Sequence, residues 1–176
     1  RGMDVDIEPR KRWPGGVGRK GGIQGFDAGR AVSFADDPGW VAELQALRTA
    51  APGDVPAELL AGAVATLGRW AKRWPARPVC VVPLPAPDMA SNRHMAEHIA
   101  QKGRLMLMDG FSWTGGPAPQ DAASTPVVAH LESAIHWTSD AAMPNGPVLL
   151  VATDVRTRWT ATVAAALLRE QGASQV

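Results

Sequence analysis

Three short unbroken apolar runs constrain this chain most: Val79 to Leu84, Leu105 to Met108 and Val148 to Val151. A strand with one wetted face alternates apolar and polar residues, so a strand that is apolar throughout is buried on both faces, as in a parallel sheet. The segments between these runs carry apolar residues at helical spacing. Residues 90–102 place Met95, Ile99 and Lys102 on one side and stop at Gly103. Ser124-Thr-Pro126 opens a helix with Val127, Val128, Leu131, Ile135 and Trp137. Thr160 caps a last helix that turns Val163, Ala164, Leu167 and Leu168 inward and ends at Gly172. Residues 111–123, rich in glycine and proline, read as a long loop. The alternation predicts an α/β fold, a mostly parallel sheet with helices on both faces.

Upstream the pattern changes. Asp37-Pro38 precedes Trp40, Val41, Leu44 and Leu47 at helical spacing, and a second helix from about residue 54 carries Leu60, Val64, Leu67 and Trp74. Residues 1–35 hold many glycines and few periodic apolar positions. The expected organisation is a basic, glycine-rich arm or linker over 1–35, a helical pair over 36–75 packed on the domain, and an α/β domain over 76–176.

Eighteen basic against seventeen acidic residues give a net charge of +1. Any nucleic-acid contact must therefore come from a local patch. The arm offers one in Arg10, Lys11, Arg12, Arg19 and Lys20 with Trp13 among them. It reads either as a solvated linker or as a track for a nucleic-acid backbone with one stacking ring. A second cluster, Arg69, Lys72, Arg73 and Arg77, sits at a helix end, where cations complement the dipole, and reads as a solvated face.

The single cysteine, Cys80, excludes an internal disulfide and reads as a buried strand residue. His94 and His98 share a helix face, but no further ligands stand near them in sequence, so no metal site is expected. No apolar run reaches the ~18 residues of a membrane span, and no signal-peptide pattern opens the chain. The expectation is a cytoplasmic protein without a membrane partner. The chain opens on arginine and closes where another strand would begin, which reads as a piece of a longer protein.

The stretch VLLVATDVRTRWTAT, residues 148–162, joins the last strand to the last helix. A loop in this place presents backbone N–H groups and the positive end of a helix dipole to an anion. Thr157, Thr160 and Thr162 add hydroxyls; Arg156 and Arg158 add bidentate donors. The stretch resembles the phosphoribosyl-diphosphate loop of type I phosphoribosyltransferases, whose pattern is four apolar residues, Asp-Asp-x-x-Thr-Thr-Gly-x-Thr, then a helix. Ala152 and Thr153 stand at the two acidic positions, Arg156 at the first threonine, Thr157 at the second, Arg158 at the glycine and Thr160 at the last threonine. VVPLP over 81–85 with SNRHMAEHIA over 91–100 is similar to that family's diphosphate-contacting loop and helix, which implies Pro85, Ser91 and Asn92 as the second wall of a pocket. The fold implied is type I phosphoribosyltransferase-like.

The departures bear on activity. Ala152 accepts no ribose hydrogen bond, Thr153 is weaker than a carboxylate, and Arg158 needs room that glycine leaves open. Trp159 either plugs the site or presents a flat face to a base. No catalytic residue is assigned.

The opening VDIEPRKRWPGGVG, residues 5–18, resembles the segment that follows the helicase core and zinc module in a bacterial subfamily of RecQ-like DNA helicases, which end in a phosphoribosyltransferase-like domain. This implies a parent ATP-dependent helicase using ATP, magnesium and zinc, with DNA and the rest of the helicase chain as partners. Its motor motifs and zinc cysteines are absent here, so no cofactor is expected in this chain. The function implied is an accessory module in DNA engagement, partner docking or regulation. Two alternatives stay open: an active transferase using phosphoribosyl diphosphate, and a non-catalytic sensor binding a phosphate or nucleotide at 152–160.

Overall fold

A computed structural model describes residues 4–176. In chain order the elements are β1 (Val5–Ile7), β2 (Gly29–Ala31), α1 (Val41–Thr49), α2 (Ala57–Trp70) with a short 3-10 turn over Ala71–Arg73, β3 (Cys80–Pro83), α3 (Ala90–Gly103), β4 (Met106–Leu107), β5 (Phe111–Trp113), α4 (Ser124–Ala134), β6 (Ile135–Trp137), β7 (Val148–Val151) and α5 (Trp159–Glu170). The protein is mixed α/β.

The three apolar runs pair as a parallel sheet in the order β4-β3-β7. Their alternate residues feed two separate cores. Cys80, Val82 and Val148 pack with Val128, Leu131, Val163 and Leu168 of α4 and α5. Val81, Leu149 and Val151 pack with Leu59, Leu60, Met95 and Ile99 of α2 and α3. Both faces of the sheet are covered, which is why Cys80, Val81 and Val82 are each 0% exposed. Beyond β7, Gln175 continues the parallel pairing through a bridge to Pro147.

Two expectations are corrected. Residues 111–113 form β5, not loop, and Ile135 and Trp137 lie in β6, not on a helix. These two strands pair antiparallel, and Trp137 meets Phe111 edge-on at 5.0 Å between ring centroids. The hairpin needs glycine at 110: a Cβ there would come within 2.6 Å of the Trp137 ring. Helical spacing of Ile135 and Trp137 relative to Leu131 imitates a helix face, but cross-strand packing decides the conformation.

The first 35 residues are held against the body throughout their described length. β1 and β2 pair antiparallel, Asp4 accepts from Arg69 and from the buried Thr66 of α2, and Asp27 binds Arg169 of α5. The Arg69 hydrogen bond holds the Asp4 carboxyl below the usual carboxylate range. Between the strands, an antiparallel bridge from Arg12 to Gly22 closes a loop.

Candidate functional site

β3 lies at the centre of the sheet, with β4 on one side and β7 on the other. The helix after β3 covers one face and the helix after β7 covers the opposite face. The loops leaving these strands, 84–89 and 152–158, therefore part at the carboxyl edge. That divergence is where open α/β sheets bind ligands.

In this protein a buried side chain bridges the divergence. Asn92, 6% exposed on the first turns of α3, donates from Nδ2 to the Leu84 carbonyl at 2.8 Å. Its Oδ1 accepts from the Thr153 backbone N–H and from the Thr153 hydroxyl, both at 2.9 Å. Leu84 N–H also donates to the Val151 carbonyl at 2.7 Å. Pro85 is buried, and Ser91 is half-buried. Thr153, which stands at an acidic position of the resembled loop, thus spends its hydroxyl and N–H on Asn92.

On the other wall, Arg158 rather than Thr160 precedes the first turn of α5 and takes a left-handed conformation, φ 66° and ψ −5°. Glycine adopts that conformation without cost, and glycine is what the resembled loop carries there. Thr157 Oγ1 accepts from the Trp159 N–H at 3.3 Å, and Thr160 sits half-buried inside the first turn. Arg156, with two-thirds of its side chain in solvent, pairs with Asp154 at 2.8 Å, which raises its pKa. Trp159 does not lie in a loop; it begins α5, is 3% exposed, and donates from Nε1 to Ser124 Oγ at 3.1 Å.

The arm crosses this same loop. Arg10 donates to the Thr157 carbonyl from Nη2 at 2.8 Å and from Nε at 3.3 Å, while Arg158 donates back to the Glu8 carbonyl at 2.8 Å. Burial, with the Arg158 charge beside it, lowers the Arg10 pKa. The Arg10 guanidinium lies 4.5 Å from the Trp159 ring centroid, and Trp13 stacks on Trp159 at 6.2 Å and 20°. Arg19 sits 5.4 Å from the Trp13 ring and is tied to Glu132 of α4 and Glu170 of α5. Of the six arm residues singled out by sequence, Arg10, Trp13 and Arg19 are engaged internally. Lys11, Arg12 and Lys20 are exposed around the base of the 12–22 loop.

Asp154 is the one carboxylate on the 152–160 loop, and it faces Arg156. Among the described residues, no group of three or more His, Cys, Asp or Glu is placed to hold a metal ion. His94 bonds the Gly53 carbonyl, and His130 bonds the Gly116 carbonyl at 3.0 Å. No helix of the described residues is long and apolar enough to cross a membrane. Sequence reasoning placed Asn92 at this site but missed that its amide joins the two walls; a buried Asn facing a backbone N–H leaves no periodic signal. No protein-family model, curated protein or solved structure matches this chain.

Proposed function

We propose that this chain is a non-catalytic α/β module of phosphoribosyltransferase-like type, serving as an accessory part of a RecQ-like DNA helicase. The observation that carries the non-catalytic half is that the chain's own residues occupy the 152–159 wall of the crevice. Asn92 holds the two loops together, Trp159 is packed into the core, and the arm lies over the Thr157–Trp159 segment. A transferase needs that space for a ribose and diphosphate, and it needs carboxylates for the ribose hydroxyls. Ala152 and Thr153 stand in their places.

The accessory half rests on the resemblance of residues 5–18 and on the three exposed cations of the arm. Lys11, Arg12 and Lys20 leave the base of one closed loop, and backbone phosphates are read by such point charges. The internal ties of Arg10 and Arg19 present the loop in a fixed position, which lowers the ordering cost of binding.

Two measurements test the two halves separately. Pyrophosphate release from magnesium phosphoribosyl diphosphate with each nucleobase is expected to be nil; turnover with any base refutes the non-catalytic half. Fluorescence anisotropy with labelled single- and double-stranded DNA is expected to show salt-sensitive binding that the triple variant Lys11→Ala, Arg12→Ala, Lys20→Ala weakens about tenfold or more. Unchanged affinity in that variant refutes the DNA role.

A further inference from the structure

At the amino edge of the sheet, opposite the 152–160 loop, α2 and α3 diverge over a cavity of about 420 Å³. Its walls are apolar: Leu67 and Trp74 from the α2 side, Ile99 from α3, and Leu105 and Leu149 from the sheet side. Gly68 lines it as well, and a Cβ built there meets nothing within 4 Å. Arg77 and Lys102 line it, and Lys72, Arg73 and Arg104 follow or precede the lining residues Ala71, Trp74 and Gly103 directly in the chain, each exposed.

The charge around this cavity is one-sided. Residues 69–78 and 99–107 contain no Asp or Glu. Arg69 is matched by Asp4, as Arg19, Arg30, Arg93, Arg156 and Arg169 are matched by acids elsewhere. Among the described residues, none of Lys72, Arg73, Arg77, Lys102 and Arg104 lies within ion-pair distance of a carboxylate; Arg77 donates to the neutral Gly103 carbonyl. In a chain of net charge +1, two such cations lining an apolar cavity and three more beside its lining residues make a local positive patch.

We infer that this cavity is the docking site for an acidic, amphipathic segment of a partner protein, which seats bulky apolar side chains between α2 and α3 and lays its carboxylates against the cationic rim. The volume falls in the range of ordinary ligand pockets, roughly 300–1,000 Å³, enough for more than one bulky side chain. A helix presenting apolar residues at i, i+3 and i+4 is the mode of recognition suited to a groove between two helices. Nucleic acid matches the rim charge but not the apolar floor, which offers its phosphates and sugars no donors. This inference is independent of what the opposite edge of the sheet does.

The test uses the full chain and a fluorescein-labelled peptide of about twelve residues, all Glu and Asp except Leu, Phe and Leu at i, i+3 and i+4. Its anisotropy is expected to rise saturably with protein and to lose affinity as salt increases. Gly68→Leu fills the cavity from a helix position with free space; it is expected to abolish binding while the melting temperature stays equal or rises. Lys102→Glu combined with Arg73→Glu is expected to weaken binding about tenfold and steepen no other property. Four results overturn the inference: no saturable binding by the native chain; binding retained in Gly68→Leu; equal binding of a peptide whose Leu and Phe are replaced by Ser; or displacement of the peptide by a short oligothymidylate whose own binding is lost in Lys102→Glu with Arg73→Glu, which marks the rim as a nucleic-acid surface.

Discussion

Asn92 makes three hydrogen bonds from one buried amide, to Leu84, the Thr153 N–H and the Thr153 hydroxyl. Replacing it by alanine leaves the buried Leu84 carbonyl and the part-buried Thr153 N–H without their partner. Asn92→Ala is expected to lower unfolding free energy by about 2–3 kcal/mol in urea titration. Its neighbour Ser91, half-buried with no such bridge, is the control: Ser91→Ala is expected to stay within about 0.5 kcal/mol.

Cys80 supplies a second test at this scale. Burial alone pushes its thiol up from 9.0 to about 11. The sign is that of a raised folded-state pKa caused by desolvating the charged form. Below pH 9 both states hold a neutral thiol and the residue costs nothing; as pH rises from 9 to 11 the unfolded thiol ionises and stability falls. Cys80→Ala is expected to flatten the alkaline arm of the stability curve, measured by denaturant titration at stepped pH. An alkaline arm unchanged by Cys80→Ala would show that the thiol is not the titrating group.

Within α2, two glycines one face apart face opposite surroundings. A Cβ at Gly62 would come within 2.6 Å of the Trp40 ring, which is itself 5% exposed and fixed in the α2–α3 core. At Gly68 it would meet nothing. Helix propensity alone favours alanine at both positions by about 0.5–1 kcal/mol. The packing reverses the sign at one of them: Gly62→Ala is expected to lower the melting temperature and Gly68→Ala to raise it. Two shifts of the same sign would contradict the packing of Trp40 against α2.

What the sequence made legible at this level follows from one physical distinction. Strands buried on both faces and helices with a continuous apolar face announce themselves by composition, so β3, β7, α3 and α5 lie close to their expected places. β5 and β6 do not, because three-residue strands are too short for a period and are held by a distant partner. The arm carries no periodicity either, since its order comes from Arg10, Trp13, Arg19 and Asp27 reaching residues more than a hundred positions away.

At the scale of the molecule, the two edges of the sheet are treated differently. At the carboxyl edge, where the fold class offers a ligand crevice, the 152–159 wall is taken up by Asn92, Trp13 and Arg10, while a cavity of about 420 Å³ stays open beside the 84–89 loop, lined by Pro87, Asp88, Arg93 and Trp113. The amino edge is left with an apolar cavity and unmatched cations. The loop at 152–160 could be read from its threonines and its place before a helix; that its carbonyls and rings are taken up by the arm could not, because arginine bound to a carbonyl and arginine free for phosphate look the same in sequence.

That the chain fills the phosphate-loop wall with its own residues is tested most directly at the Trp159 indole, whose Nε1–H bonds Ser124 and whose ring carries Trp13 and Arg10. Its indole N–H resonance, assigned by Trp159→Phe in a ¹⁵N-labelled chain, is followed while magnesium phosphoribosyl diphosphate is added to millimolar concentration. The resonance is expected not to move and to exchange slowly with solvent. A saturable shift of that resonance would contradict it, since a ligand would then be entering the space the chain fills with its own residues.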